Sequence, residues 1–181
     1  MPTVEAQLRM AQQKKLIVKF ARPFEPGTFI GFVMDVGPKF FLLAVIKDGF
    51  AFEQYSFLRT KDIRNLEVPA KYSDFYKTVR VKRGDKMPPK IKVRLTDAES
   101  ILRSQAGSLV AIHRERVAPE TCHIGIVESG NATYVELLEI GPDAKWQTES
   151  NYYRLNQITR IDLPGPYEKA LLLAGGEPNP I

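Results

Sequence analysis

An unbroken apolar run, Phe40-Phe41-Leu42-Leu43-Ala44-Val45-Ile46, lies between Lys39 and Lys47. Seven apolar residues bounded by charge read as a strand. A related stretch, Tyr134 to Ile140, keeps the strand character but holds Glu136 and Glu139 where the first has Leu42 and Val45. The two stretches belong to a longer repeat. Displacement by 94 residues lays Ile30-Gly31-Phe32-Val33 on Ile124-Gly125-Ile126-Val127, Leu8-Arg9 on Leu102-Arg103 and Arg22 on Arg116. After one inserted residue near Ser150, Phe57-Leu58-Arg59 meets Tyr152-Tyr153-Arg154, Ile63 meets Ile158 and Pro69 meets Pro164. Order, spacing and residue character persist along the chain, as expected of a tandem duplication.

Each repeat reads as a helix followed by five short strands. The first helix spans roughly Thr3 to Lys14. The second starts at Thr96, with Glu99 in a capping-box position, and ends at Gly107. Strands follow over Leu16–Phe20 and Leu109–His113, through Gly31 and Gly125, over Phe40–Ile46 and Tyr134–Ile140, through Phe57-Leu58-Arg59 and Tyr152-Tyr153-Arg154, and finally through Ile63/Leu66 and Ile158/Ile161. A helix and five strands with tight turns predict a small closed barrel. The expected organisation is a first helix and barrel over 1–79, a basic linker over 80–95, a second helix and barrel over 96–175, and a flexible tail over 176–181.

The spacing of Gly31 before Leu42-Leu43, and the segments Leu58-Arg59-Thr60-Lys61-Asp62-Ile63…Leu66 and Tyr153-Arg154-Leu155-Asn156-Gln157-Ile158…Ile161, resemble the two motifs of the Sm-like (LSm and host-factor-like) family. The resemblance covers most of each repeat. It implies mainly β architecture, two tandem Sm-like/SH3-like five-stranded barrels, each preceded by a helix. It also implies RNA as a partner, with Arg59 and Arg154 in nucleotide pockets. The family forms rings of six or seven barrels, so two barrels per chain imply a homo-oligomer: a pseudo-hexameric trimer, or a dimer. RNA-binding members carry an Asp six residues after the motif glycine and a base-binding Asn ten after it. Here those positions are Gly37 and Phe41, then Asn131 and Val135, and the glycine after the motif Arg is Thr60 or Leu155. Apart from the family, Arg59 and Arg154 read as strand-edge salt-bridge residues.

Charge divides the chain. Of 26 Lys+Arg and 21 Asp+Glu, residues 1–94 hold 19 and 9, while residues 95–181 hold 7 and 12. The excess concentrates in Lys77, Arg80, Lys82, Arg83, Lys86, Lys90, Lys92 and Arg94, against Asp85 alone. Three readings fit this run: a solvated linker, a track for a nucleic-acid backbone, or a counterpart of the acidic second repeat. Arg59, Arg154, Lys82, Arg83, Lys86, Lys90 and Lys92 are the candidate nucleic-acid-binding residues. The apolar Leu42 and Val45, matched by Glu136 and Glu139, predict a covered face on the first repeat and an exposed one on the second.

Catalytic chemistry has little foothold. Cys122 and His123 are adjacent, so on a strand they point to opposite faces. Cys122 reads as a buried small thiol, and His113, among Arg114, Glu115 and Arg116, as a surface histidine. One Cys and two His make no metal motif, and no glycine pattern fits a phosphate cradle. Trp146, matched to Phe52, reads as a packing aromatic. The expectation is a non-enzymatic protein without cofactor or metal that binds RNA or single-stranded nucleic acid, or alternatively an assembly module without a nucleotide pocket. The N-terminus shows no apolar signal segment, so the expected location is cytoplasmic.

Overall fold

The computed structural model describes residues 2–47 and 50–178. Among these residues the fold is mainly β, with ten strands in one continuous antiparallel sheet and four α-helices. The first repeat comprises α1 (Val4–Lys14), β1 (Ile17–Ala21), β2 (Thr28–Val36), β3 (Phe40–Ile46), β4 (Phe52–Arg59), β5 (Arg64–Glu67) and α2 (Ser73–Arg83). The second comprises α3 (Ala98–Arg103), β6 (Leu109–His113), β7 (Cys122–Gly130), β8 (Tyr134–Glu139), β9 (Asn151–Arg154), β10 (Arg160–Asp162) and α4 (Pro166–Gly175). The strands lie in the order β5-β1-β2-β3-β4-β10-β6-β7-β8-β9. Each half therefore runs fifth strand, first, second, third, fourth. The halves join where β4 pairs β10.

Local sequence accounts for the elements. Thr3 caps α1, its Oγ1 accepting from Ala6 N at 3.2 Å, and Leu8 and Ala11 bury the inner face. In α3 the cap is Asp97 rather than Thr96. The Asp97 carboxylate accepts from Ser100 N at 2.9 Å, so the reciprocal Thr96–Glu99 box does not form. Gly31 and Gly125 stand where β2 and β7 cross their neighbours. A Cβ there would lie 2.2 Å from the Ala44 carbonyl oxygen or 2.5 Å from that of Leu138. Both repeats thus need the glycine for close backbone approach.

Helices α2 and α4 occupy corresponding places after the fifth strands, and the sequence reading contained neither. Helix α2 crosses the expected boundary at residue 79 and carries Lys82 and Arg83 on its last turn before Gly84 (φ 73°). Its aromatic and β-branched residues, Phe75, Tyr76, Thr78, Val79 and Val81, hide it from propensity. Helix α4 packs Leu171 with Leu109, Ala111 and Ile140 against the second repeat. Residues 179–181 of the expected tail lie outside the described residues.

The core crosses the junction. Phe57 and Ile161, opposite one another on β4 and β10, are fully buried in a cluster that also holds Leu42, Ile101, Ile112 and Leu137. A second cluster, including Leu8, Phe20, Phe41, Val45 and Leu58, lies within the first repeat. Leu42 and Val45 are covered as expected, Leu42 in the cluster shared by both repeats and Val45 in the first repeat's own cluster. Glu139, expected to be exposed, is buried. Among the described residues no helix is long and apolar enough to cross a membrane.

Candidate functional site

The chain from α2 to α3 is docked on the first repeat. Arg80 is buried and donates to the Lys86 carbonyl at 2.7 Å and to the Phe50 carbonyl at 3.1 Å, with its guanidinium over the Phe32 ring. Arg80 is therefore a structural clamp on the turn at Gly84. The Tyr55 hydroxyl donates to the Pro89 carbonyl. Beyond it, Ile91, Val93 and Leu95 turn into the core, while Lys90, Lys92 and Arg94 between them are exposed. Gly37 accommodates the end of this segment: a Cβ there would lie 2.2 Å from the Leu95 carbonyl oxygen and 2.5 Å from its Cβ. The backbone forms no ladder here, yet the side chains alternate as on a strand, which places the cations in one row.

Lys82 and Lys86 extend the row and are exposed. Within the basic run, Arg83 meets Asp85 at 3.6 Å and Lys77 meets Asp74 at 3.9 Å. Among the described residues Lys82, Lys86, Lys90, Lys92 and Arg94 make no ion pair. Among the described residues the row makes no ion pair with acids of the second repeat, although Arg94 shares a groove with Glu99 of α3.

Arg59 lies at the junction of the repeats. Its Nη2 donates to the Asn156 carbonyl at 2.9 Å, and its guanidinium stands over the Phe40 ring at 5.8 Å. Burial lowers its pKa from the ordinary arginine value. Arg59 thus bridges the repeats through a backbone carbonyl, not through a strand-edge salt bridge. It opens onto a groove of about 570 Å³ lined by Lys39, Phe40 and Lys61 from the first repeat and by Asp97, Glu99 and Asn156 from the second. Lys39 and Lys61 were not singled out from sequence, although they stand in the two turns whose motifs flank Arg59. Arg154, the counterpart of Arg59, is exposed beside the outer edge of β9. The fold separates the two arginines and brings neither into contact with the cation row.

Two polar networks sit elsewhere. At the junction, Asp162 accepts from Ser56 Oγ at 2.6 Å and Arg160 Nη2 at 2.6 Å, with His113 Nε2 at 3.0 Å. His113 is therefore a paired, half-buried residue; its partner, 49 positions away, is invisible to local sequence reading. Burial raises the Asp162 pKa, but the Arg160 charge and the His113 contact outweigh it and hold the carboxyl far below its usual range. Cys122 is exposed as a residue rather than buried, with Sγ 3.6 Å from His113 Nε2. Desolvation of the sulfur and the Asp162 charge push the thiol up to about 12, which suppresses the thiolate.

In the second repeat, Arg114, His123, Glu139 and Tyr153 replace Phe20, Phe29, Val45 and Leu58 of the first. Glu139 accepts from Asn151 Nδ2 at 2.9 Å and from the Tyr153 hydroxyl, and its Oε2 lies 3.3 Å from His123 Nδ1. Burial raises its pKa, while hydrogen bonds from His123 and Tyr153 lower it further than burial raises it. Its burial follows from this partner set. Trp146 is a half-buried packing residue, its Nε1 donating to the Gly176 carbonyl at 2.9 Å. Among the described residues no three His, Cys, Asp or Glu side chains are grouped to hold a metal ion.

Comparison with models of known families, with curated proteins and with solved structures finds no match.

Proposed function

We propose that the protein is a non-catalytic binder of RNA or single-stranded nucleic acid, of the Sm-like class, in which each five-strand half curls as a small barrel. The strand order within each half, with the fifth strand beside the first, supports that class. The observation that carries the binding reading is the docked segment after Pro89. Ile91, Val93 and Leu95 anchor it, so Lys90, Lys92 and Arg94 are held outward in a row that makes no ion pair among the described residues. A fixed row of unpaired cations suits a phosphate backbone, and such contacts are independent of base identity. Phe41 and Val135 occupy the positions that would read a base, so the binding is sequence-tolerant. Arg59 serves the junction, with Lys39 and Lys61 on the lips of its groove.

The test is fluorescence anisotropy of a labelled mixed-sequence RNA with nuclease-treated protein over a salt series. Five cations on a single strand give a log–log salt slope of about −3.5. Replacing Lys86, Lys90 and Lys92 with Ala reduces that slope by about 2 while leaving the thermal unfolding curve in place. No binding at low salt overturns the proposal.

A further inference from the structure

Helix α2 carries an aromatic side chain that the core does not use. Phe75 is 57% exposed and shares one strip of the helix with Thr78 and Lys82, both exposed. Its ring meets that of Phe50 edge-on at 5.3 Å, and Phe50 meets Tyr76 at 4.9 Å. Phe50 stands in the left-handed region at φ 65°, a conformation that a bulky residue keeps only where its surroundings enforce it. Arg80 supplies the restraint, donating to the Phe50 carbonyl at 3.1 Å and to the Lys86 carbonyl at 2.7 Å. One buried guanidinium therefore fixes the ring cluster beside the cation row. A second link lies further along. Phe52, 36% exposed, packs on the Tyr55 ring at 4.8 Å, and the Tyr55 hydroxyl donates to the Pro89 carbonyl, next to Lys90. Exposed rings thus stand at two points of the row, by Lys86 and by Lys90.

The second repeat provides the contrast. Through the repeat, Phe50, Phe75 and Lys82 correspond to Ala144, Ala170 and Glu177. Helix α4 occupies the place of α2 with Ala170, so packing of a helix there does not call for a ring. Trp146, the counterpart of Phe52, is half-buried and tied to the Gly176 carbonyl. The half that carries the cations is therefore also the half that presents the rings.

We infer that Phe75 and Phe52 are stacking platforms for unpaired bases of an RNA single strand whose phosphates follow Lys82, Lys86 and Lys90. This rests on the nucleic-acid reading above and adds to it the form of the ligand. Lysines alone take any phosphate backbone, paired or not. A ring needs the free face of a base, which a duplex keeps inside its stack, so the rings select the single strand. Every base has such a face, so stacking is tolerant of sequence. Separate rings spaced along a row of cations match the alternation of base and phosphate, whereas a lipid surface calls for a continuous apolar helix face.

The test compares a labelled mixed-sequence RNA with the same RNA annealed to its complement, by anisotropy on the nuclease-treated full chain over a salt series. Wild type is expected to bind the single strand more tightly. Phe75→Leu with Phe52→Leu is expected to weaken single-strand binding at least about fivefold per ring, with the salt slope and the duplex affinity unchanged. Phe75→Tyr with Phe52→Tyr, which keeps both rings, is expected to bind as wild type does. Photo-crosslinking of 4-thiouridine RNA to the wild type, mapped by mass spectrometry, is expected to mark Phe75 or Phe52, and it decides the matter if the Leu variant does not fold. No binding of either RNA at low salt overturns the nucleic-acid reading itself. Binding with the full salt slope that ignores strandedness and the Leu pair overturns the stacking inference alone and leaves the cation row. So do cross-links that fall only elsewhere. Vesicles of phosphatidylserine and phosphatidylcholine that bind wild type but not the Leu pair, with RNA affinity the same for both, overturn it by giving the rings to a lipid surface.

Discussion

Arg22 and Glu115 meet as a buried two-pronged pair, Nη1–Oε1 at 2.9 Å and Nη2–Oε2 at 2.7 Å, joining the first repeat to the second across 93 positions of chain. Thr159 completes the set by donating its hydroxyl to Glu115, and Glu25 meets Arg22 at 3.0 Å. Burial raises the Glu115 pKa, but the hydrogen bonds and charge of Arg22 lower it by more. The pair lies where the apolar junction core ends, so it sets the relative orientation of the halves at a point where hydrophobic contact alone is not directional.

Removing one member leaves the other charged and buried. Glu115→Leu is expected to cost about 3–5 kcal/mol, since the half-buried Glu25 is then the one carboxylate paired with Arg22 among the described residues. The double replacement Arg22→Met with Glu115→Leu is expected to recover most of that loss, because well-packed apolar residues replace such pairs at little net cost. Urea unfolding of the two single variants and the double variant measures the coupling.

Acid stability follows from Asp162 and Glu115. Both carboxyls are held below their usual range in the folded chain, so the unfolded chain binds more protons. The stabilisation is fully present above the ordinary carboxylate pKa of about 4. It is lost progressively as pH falls through that value toward the depressed folded-state values. The urea midpoint of the wild type is expected to fall across this window. Asp162→Asn is expected to lower the neutral midpoint and flatten the acid slope, so the two curves converge at low pH. Curves that stay parallel would show that Asp162 is not the titrating group.

The duplication made much of this architecture legible. Repeated apolar positions and the glycines at 31 and 125 placed a strand over part of each of the ten, and the pattern is plainest at β3, where every residue is buried. The pairing of β4 with β10 was not legible, since β10 is three residues long and its partner is a hundred positions away. Pro88 and Pro89 marked a linker and hid the alternation of Ile91, Val93 and Leu95 with Lys90, Lys92 and Arg94, although that period of two is plain in the sequence. The networks at His113 and Glu139 were missed for a common reason. Their burial depends on partners brought in by other strands, which neither residue's own neighbourhood discloses.

Docking of the cation row rests on Gly37. In Gly37→Val the new side chain collides with the Leu95 backbone and is expected to lift residues 88–95 from the sheet. Limited trypsin digestion reads this directly, because Lys90 and Lys92 lie in the segment that opens. Cleavage there is expected to accelerate at least about tenfold, equivalent to about 1.4 kcal/mol of local stability, while cleavage in the second repeat is unchanged. An unchanged digestion pattern would mean that Tyr55 and the apolar anchors hold the segment without the close approach at Gly37.

The two repeats offer a matched pair of substitutions at one structural position. Leu42 is 1% exposed in the cluster that spans the junction, whereas Glu136 is half-buried and accepts from the exposed Ser129 and Tyr152 hydroxyls at 2.5 Å and 2.7 Å. Leu42→Glu places a carboxylate among Phe57, Ile101 and Leu137 with no donor provided for it, and is expected to cost about 4 kcal/mol or more. Glu136→Leu frees two hydroxyls that water can satisfy and is expected to change stability by no more than about 0.5 kcal/mol. Chemical denaturation of both variants checks the asymmetry. Equal costs would mean that the faces are covered alike, and the cluster shared across β4 and β10 would then not be what distinguishes the first repeat from the second.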